Sequence, residues 1–352
     1  MNFFLSLYDR IPPRFRRRLK NGLTLWLHRY FVHRPRILNR TVTSITIELT
    51  DKCNLRCSYC PKSMGIGVTG KNMNFDLFKK VVDDALAIQP ISRVLLVGFG
   101  EPFLYPQLEE GMRYLREKNP SMYITTTSNG TLLSEEWARK MVEVGLNQIT
   151  ISVNATSREQ YLQINRSDSY EKVVANTRAF LSTVNTLGAS MRILVQVLEG
   201  PNGPDEISCF RKEWQPYLGH CGEIQVQPFV NWAGQIDKNQ IPLTVDKSAG
   251  ICLSKVRYPC AHLGGWLITR EGNGLPCCMA LPEDPGDLLL GNVRDQSIAE
   301  MFMGKRMAEL RILNFEGKLS ELSPCEKCDA HRSMPNVWIY NPLHRFFGPQ
   351  WI

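Results

Sequence analysis

Beyond residue 42 the apolar and polar positions fall into two alternating periods. Residues 43–50 alternate β-branched side chains with a period of two, the mark of a strand. Residues 74–88 switch to the helical period, with Phe75, Phe78, Val81, Val82 and Leu86 along one face. The same switch recurs down the chain. Further strands are predicted at 93–99, 122–127, 148–153, 190–198 and 223–226, and further helices at 105–117, 136–145, 170–187 and 207–217. Ser134 stands where the helix at 136–145 needs a cap, and Gly145 where it stops. Strands separated by helical segments argue for an α/β fold, parallel strands covered by helices, with room for about six such units. After Gln227 the pattern breaks into a stretch rich in Pro, Asn and Gly that lasts to about Ser254.

Composition narrows the class. The 352 residues are 43% hydrophobic, enough for one large domain and a smaller one. No run of eighteen apolar residues exists, so no span of a bilayer is expected. The short apolar stretches near the start are interrupted by Pro12 and Pro13, which do not make a signal peptide. Eleven cysteines without export features read as metal ligands in a reducing, cytoplasmic compartment rather than as a disulfide framework. The net charge of +8 is local: residues 1–40 hold ten Lys/Arg against Asp9, and the rest of the chain is close to neutral. Aromatics such as Phe3, Phe4, Tyr8, Phe15, Trp26, Tyr30 and Phe31 are mixed with those bases. That mixture suits an anionic membrane surface, a lipid-like substrate or an anionic partner. A helical extension with a solvated basic face is the plainer alternative. Nucleic acid is not expected, since no recognised fold motif accompanies the charge.

The chemistry concentrates in Cys53-Asn-Leu-Arg-Cys57-Ser-Tyr-Cys60. Three thiolates at C-x3-C-x2-C can hold three irons of a [4Fe-4S] cube and leave the fourth open, which is a place for reaction rather than structure. Spacing alone also allows zinc or buried apolar thiols. With Tyr59 before the last cysteine, the segment resembles the signature of radical S-adenosylmethionine (SAM) enzymes. The resemblance implies a partial (β/α)6 TIM-like barrel, with Cys53, Cys57 and Cys60 as cluster ligands and catalytic centre. It implies SAM chelated on the open iron and cleaved by one electron to a 5′-deoxyadenosyl radical that abstracts a substrate hydrogen. Because barrel sites sit at the C-terminal ends of strands, the cluster loop, Gly100-Glu101-Pro102 and Asn129-Gly130 are expected on one rim.

Gly98-Phe99-Gly100-Glu101-Pro102 is similar to the family's Gly-Gly-Glu-Pro segment, although Phe99 separates the two glycines. The likeness assigns Gly100, Glu101 and Pro102 to the amino group of SAM, and a carboxylate can accept hydrogen bonds from an ammonium. A helix-leading acid is the alternative for Glu101. Asn129, Ser152 and Asn154 stand where the family often contacts methionine or ribose, with core packing or turn capping as the alternative. Asn154 follows Ser152 by two residues, hence on the same strand face. Tyr59, Arg166 and Arg192 complete the candidate SAM-binding set, the two arginines for the SAM carboxylate or the substrate.

A second set follows the break. Cys260, then Gly272 and Cys277, and the late pair Cys325-Glu-Lys-Cys328 could supply four ligands, since a C-x2-C pair aims two sulfurs at one site. A strand, turn and return strand are predicted across 267–275, and a helix at 297–311. The arrangement resembles the auxiliary-cluster domain called SPASM or, in its one-cluster form, Twitch. With no cysteine after Cys328, one auxiliary [4Fe-4S] cluster is implied, against tetrahedral zinc on bare spacing. Cys252 could replace Cys260, and Cys278 could replace Cys277. Cys209 and Cys221 read as ordinary packed thiols. The expected organisation is a basic extension at 1–40, the barrel at 41–228, a linker at 229–257, the auxiliary domain at 258–335 and a tail at 336–352.

These readings predict a radical SAM oxidoreductase that dehydrogenates or epimerises a small biosynthetic intermediate such as an amino sugar, cyclitol or nucleoside. No winged N-terminal domain of the kind that holds leader peptides is legible, which favours the small molecule. A peptide maturase is the alternative, and an iron–sulfur electron-transfer scaffold a third. A flavodoxin or ferredoxin is the expected reductant.

Overall fold

The computed structural model describes residues 44–65, 69–88, 91–199, 203–232, 235–236, 260, 262–263, 265–280 and 286–328. The basic extension, Cys252 and most of the expected linker and tail lie outside these residues.

Among the described residues nine strands form one sheet in the order β6-β5-β4-β3-β2-β1-β7-β8-β9. They are β1 Ser44–Ile47, β2 Arg93–Leu96, β3 Tyr123–Ser128, β4 Gln148–Ser152, β5 Arg192–Leu198, β6 Gly222–Gln227, β7 Leu267–Ile268, β8 Asn273–Leu275 and β9 Gly291–Asn292. The first six pair in parallel, each with the next in sequence. Helices cross between them: α1 Phe75–Leu86, α2 Leu108–Lys118, α3 Glu135–Glu143, α4 Arg158–Asn165, α5 Tyr170–Thr186 and α6 Gly203–Leu218. This is the β-α alternation of the sequence, an α/β partial barrel. Its core is the buried strand residues Ile45, Ile47, Leu96, Ile124, Ile149, Ile151 and Val195, packed on Phe78, Met112, Met141 and Phe180 of the helices.

Local chemistry sets the helix starts. The Asn74 side chain accepts from the amides of Asp76 and Leu77 and opens α1, whose Phe78, Val81 and Val82 are buried. Ser134 accepts from the Trp137 amide to open α3, and Gly145 follows it at φ +70°, a conformation that suits glycine. Helix α4, capped by Ser157, has no counterpart in the sequence reading. Its buried face mixes Tyr161 and Ile164 with Gln160 and Asn165, so no apolar stripe announces it.

The C-terminal segment does not form a separate sheet. Strand β7 pairs in parallel with β1, with Thr46 opposite Leu267 and Ile47 opposite Ile268, and β8 and β9 follow antiparallel. The auxiliary hairpin thereby extends the barrel sheet at its first strand. Helices α7 Ile298–Met303 and α8 Lys305–Glu316 replace the single helix expected at 297–311, because the chain turns extended at Gly304. Trp266 stacks on Phe302 with ring centroids 4.3 Å apart, and both belong to the main core. A smaller cluster gathers Leu263, Leu267, Leu275, Leu288, Leu310 and Leu322 around Cys260 and Cys277. No helix among the described residues is long and apolar enough to cross a membrane.

Candidate active site

Strand β1 runs directly into the three-cysteine loop at the C-terminal end of the parallel strands. A turn bonds the Cys60 amide to the Cys57 carbonyl at 3.0 Å. The loop leans on the end of α4: the amide and hydroxyl of Ser58 both donate to the Ile164 carbonyl, at 2.7 and 3.0 Å. The Cys57 thiol lies 3.2 Å from Asn165 Oδ1. The helix that the sequence did not announce is therefore the backing of the thiol loop. Burial pushes the thiols of Cys53, Cys57 and Cys60 up, Cys60 to about 11, and Cys57 and Cys60 also feel neighbouring thiols. Buried thiols crowded together are held unfavourably as anions until a metal centre binds them.

Gly100, Glu101 and Pro102 stand beside this loop. A Cβ on Gly100 would fall 2.2 Å from the Thr50 carbonyl oxygen, so only glycine allows that approach. The Glu101 amide donates to the Lys52 carbonyl at 2.7 Å, tying the strand-β2 loop to the cluster loop. Its carboxylate accepts from the Asn129 amide at 2.7 Å and from the Phe103 amide at 3.2 Å. Glu101 thus leads a short helical turn, Pro102–Leu104, and also binds the β3 loop. Burial lifts its carboxyl to about 7, although both amides act in the opposite sense. Asn129 turns its side-chain amide to Asn54 Oδ1 at 2.8 Å and toward the Cys53 sulfur at 3.8 Å.

On the other flank Asn154 is 1% exposed and sits at φ +63°, a left-handed conformation that asparagine tolerates. Its Nδ2 donates to the Tyr59 hydroxyl at 2.5 Å. Strand β4 ends at Ser152, so strand alternation does not carry Asn154 to its place. What joins the two is Gln196, which donates to Asn154 Oδ1 at 3.0 Å and to Ser152 Oγ at 3.4 Å. Arg166 is the left-handed C-cap of α4, next to Asn165. Arg192 is a correction. It opens β5 at the opposite, N-terminal end of the strands and forms a two-point pair with Glu223 at 2.6 and 2.9 Å on the surface. Residue type suggested an anion-binding arginine, but the strand end on which it stands excludes it from the rim.

Beneath the loop lies a buried ionic group. Arg270, in the β7–β8 turn, reaches Glu48 at 3.0 Å and Asp51 at 3.2 Å, and all three side chains are at most 2% exposed. Asp51 also accepts from the amides of Thr69 and Lys71. Burial raises the carboxyl, but the Thr69 hydrogen bonds and Arg270 outweigh it and hold Asp51 below the usual range. Lys62 is buried on the same side. Above, Trp232 donates its indole N–H to the Tyr59 carbonyl at 2.8 Å and packs on Phe99, while Phe229 meets Tyr59 edge-on. The neighbouring Asn231 donates to the Lys327 carbonyl at 2.7 Å. Gln196, Asn165, Lys62, Arg270 and Trp232 were not singled out from sequence, since none lies in a motif.

The second cysteine set converges. Cys260, Cys277, Cys325 and Cys328 line one apolar cavity with His262, Leu263, Met279 and Leu288. The turn Cys325–Lys327 brings the late pair together, its Cys328 amide donating to the Cys325 carbonyl. Cys278 is not in that lining, which favours its neighbour Cys277. Burial raises the thiols of Cys260 to about 11 and of Cys325 to about 12. Among the described residues no three Cys, His, Asp or Glu side chains are grouped as for a single metal ion. Four thiols spaced around an apolar cavity suit the larger [4Fe-4S] cube. Cys221 is packed in the core, as expected, whereas Cys209 is exposed on α6. Being on the outer face of that helix, it buries no thiol.

Comparison with known proteins follows this division. A family model described as the radical SAM superfamily matches residues 47–195, and one described as an iron-sulfur cluster-binding domain, SPASM, matches residues 260–329. The tungsten-containing aldehyde ferredoxin oxidoreductase cofactor-modifying protein of Pyrococcus furiosus is 32% identical over 114 residues, 32% of this chain and 31% of that protein. The GTP 3′,8-cyclase of Chlorobaculum tepidum is 28% identical over 190 residues, 54% of this chain and 55% of the cyclase. The chain thus spans between a third and about half the length of these curated relatives. Among solved structures, BtrN in complex with AdoMet and 2-DOIA superposes with a TM-score of 0.53 at 17% identity, over 82% of this chain and 92% of BtrN. Native anSMEcpe with bound AdoMet gives 0.57 at 19% identity, over 77% and 83%. Streptococcus suis SuiB bound to its precursor peptide SuiA gives 0.59 at 12% identity, over 82% and 70%. At these identities the likeness is one of fold.

Proposed function

The chain belongs to the radical SAM superfamily and carries a SPASM-type auxiliary iron–sulfur domain, and from that premise we propose that it oxidises or epimerises a residue of a peptide substrate by hydrogen abstraction. The observation that carries the reading is the juxtaposition of two thiol sets on one continuous sheet. The Cys53–Cys57–Cys60 loop lies at the rim between Glu101 and Asn154, and the Cys260–Cys277–Cys325–Cys328 cavity is tied to it through Asn231 and Trp232. When bound, the rim cluster and SAM supply reductive cleavage of SAM to methionine and a hydrogen-abstracting 5′-deoxyadenosyl radical, at the cost of one electron from a flavodoxin or ferredoxin.

The chain's own residues then have definite roles. Cys53, Cys57 and Cys60 hold three irons. Glu101 accepts from the SAM ammonium with the lone pairs that Asn129 and Phe103 leave free. Asn129, Asn154 and Ser152 present polar groups toward the remainder of SAM, and Tyr59 is oriented by Asn154. Arg166 stands close enough to the loop, through Asn165, to remain a candidate for a carboxylate. The four cavity thiols would hold one auxiliary cluster, which would supply an acceptor for the electron released with a proton in oxidation. Epimerisation would instead return a hydrogen atom to the opposite face from a cysteine thiol, which the external reductant and a proton would then restore.

Sequence alone led us to place a small biosynthetic intermediate first. The comparisons lend more support to the peptide, since anSMEcpe and SuiB have been solved with peptides bound. The small-molecule reading keeps two supports, the likeness of the barrel to GTP 3′,8-cyclases and the fold shared with BtrN, solved with 2-DOIA bound.

Replacing Cys53, Cys57 and Cys60 together by alanine should remove roughly four irons per chain and all SAM cleavage, while the auxiliary cluster's roughly four irons stay. Anaerobic reaction with reductant and SAM in deuterated water, with candidate peptides and metabolites compared by mass, separates the readings. A peptide two daltons lighter, or gaining one deuterium, supports the proposal. Turnover of metabolites alone would overturn it.

A further inference from the structure

One buried cation beside the cluster loop has no part in the roles above. Lys62 lies in the turn Pro61–Met64, which begins directly after Cys60. Its residue is 3% exposed, and its ammonium nitrogen is buried without a hydrogen-bond acceptor among the described residues. A buried ammonium is costly unless a counter-charge meets it. The groups that act on Lys62 are Asp51, Cys53, Cys60 and Glu48. The two carboxylates already bond to Arg270, which cancels one of their two charges. The other cations on the loop, Lys52 and Arg56, are exposed, and Arg56 donates to the carbonyls of Cys53 and Leu55 instead. Lys62 is therefore a buried cation directly after the last cysteine of the loop, with no acceptor of its own among the described residues.

We propose that Lys62 is the fixed counter-charge of the cluster held by Cys53, Cys57 and Cys60, a positioning residue that favours the cluster's reduced form. The inference rests on the assignment of those three cysteines. A cube held by three thiolates is anionic and gains one further negative charge when an external low-potential reductant supplies an electron. A cation fixed in a poorly solvated place stabilises the more negative form more strongly, which raises the potential. Lys62 itself neither donates nor accepts the electron.

The test uses the reconstituted full-length protein with K62Q and K62R forms, titrated with dithionite in the presence of mediators under EPR detection. The rim cluster is recognised as the signal that changes when SAM is added. In K62Q the ratio of reduced to oxidised rim cluster at a fixed potential should fall about tenfold, a midpoint about 59 mV lower for one electron. K62R should restore it. A K62Q protein that loses the rim cluster while K62R keeps it supports the counter-charge equally. An unchanged midpoint in K62Q, or a K62R protein that behaves as K62Q does, overturns the inference. Absence of any SAM-responsive signal in the unaltered protein overturns instead the cysteine assignment beneath it.

Discussion

Glu101 shows how one side chain sets a pH window. Its folded value of about 7 lies above the ordinary 4.5 because it is buried. The carboxyl is therefore neutral in the folded protein below about 7 and charged above it. Its contribution to stability is fully present below 4.5 and is lost as pH rises through about 7. The binding consequence runs the other way, since only the carboxylate can accept from an ammonium in full strength. SAM affinity, measured by equilibrium binding to the reconstituted protein, should weaken as pH falls through about 7. The E101Q form should bind weakly at every pH and show a flat profile. The residues of this rim were legible where a motif fixed their spacing, the three cysteines, Gly100 and Glu101, and Asn129 by its place just after a strand. Asn154 was legible by position, though a left-handed turn and Gln196, not strand alternation, put it there. Arg192 was misread because residue type says nothing about which end of a strand a side chain occupies. Lys62, Asn165 and His262 reach their places only through tertiary folding.

At the scale of elements, the β7–β8 turn matters more than its length suggests. Its Arg270 closes the buried group with Glu48 and Asp51, and Asp51 in turn holds the segment at Thr69 and Lys71 that follows the thiol loop. Removing one partner from a buried ion pair strands the others. R270M should destabilise the protein by about 3–5 kcal/mol in denaturant unfolding. The combined change with E48Q should recover part of that loss, because the remaining carboxylate of Asp51 then has Lys62 as its counter-charge. Periodicity found the long barrel helices and strands because their buried faces are almost purely apolar. It missed α4, whose inward face carries Gln160 and Asn165, and it fused α7 with α8, although the buried side changes at Gly304 from Ile298, Met301 and Phe302 to Met307, Leu310 and Asn314.

Taken whole, the molecule is less divided than its composition suggests: the break after Gln227 reads as a boundary, yet the strands beyond it rejoin the same sheet at β1. Residues far apart in sequence make that join, so no local pattern could announce it. The rim and the cavity also meet at Asn231 and Trp232, which donate to the Lys327 and Tyr59 carbonyls respectively. W232F, which lacks the indole donor, should keep its iron and still cleave SAM. Product formed per 5′-deoxyadenosine, read by quantitative mass spectrometry, should drop severalfold. The pairing of β7 with β1 also orders events on the ribosome. Glu48 precedes its partner Arg270 by 222 positions, so β1 emerges early with an unpaired edge and two carboxylates that lack their cation. Such edges invite wrong partners while they wait. The seat beneath the three cysteines is completed only once Arg270 has been translated, so the loop is expected to hold iron stably no earlier than that.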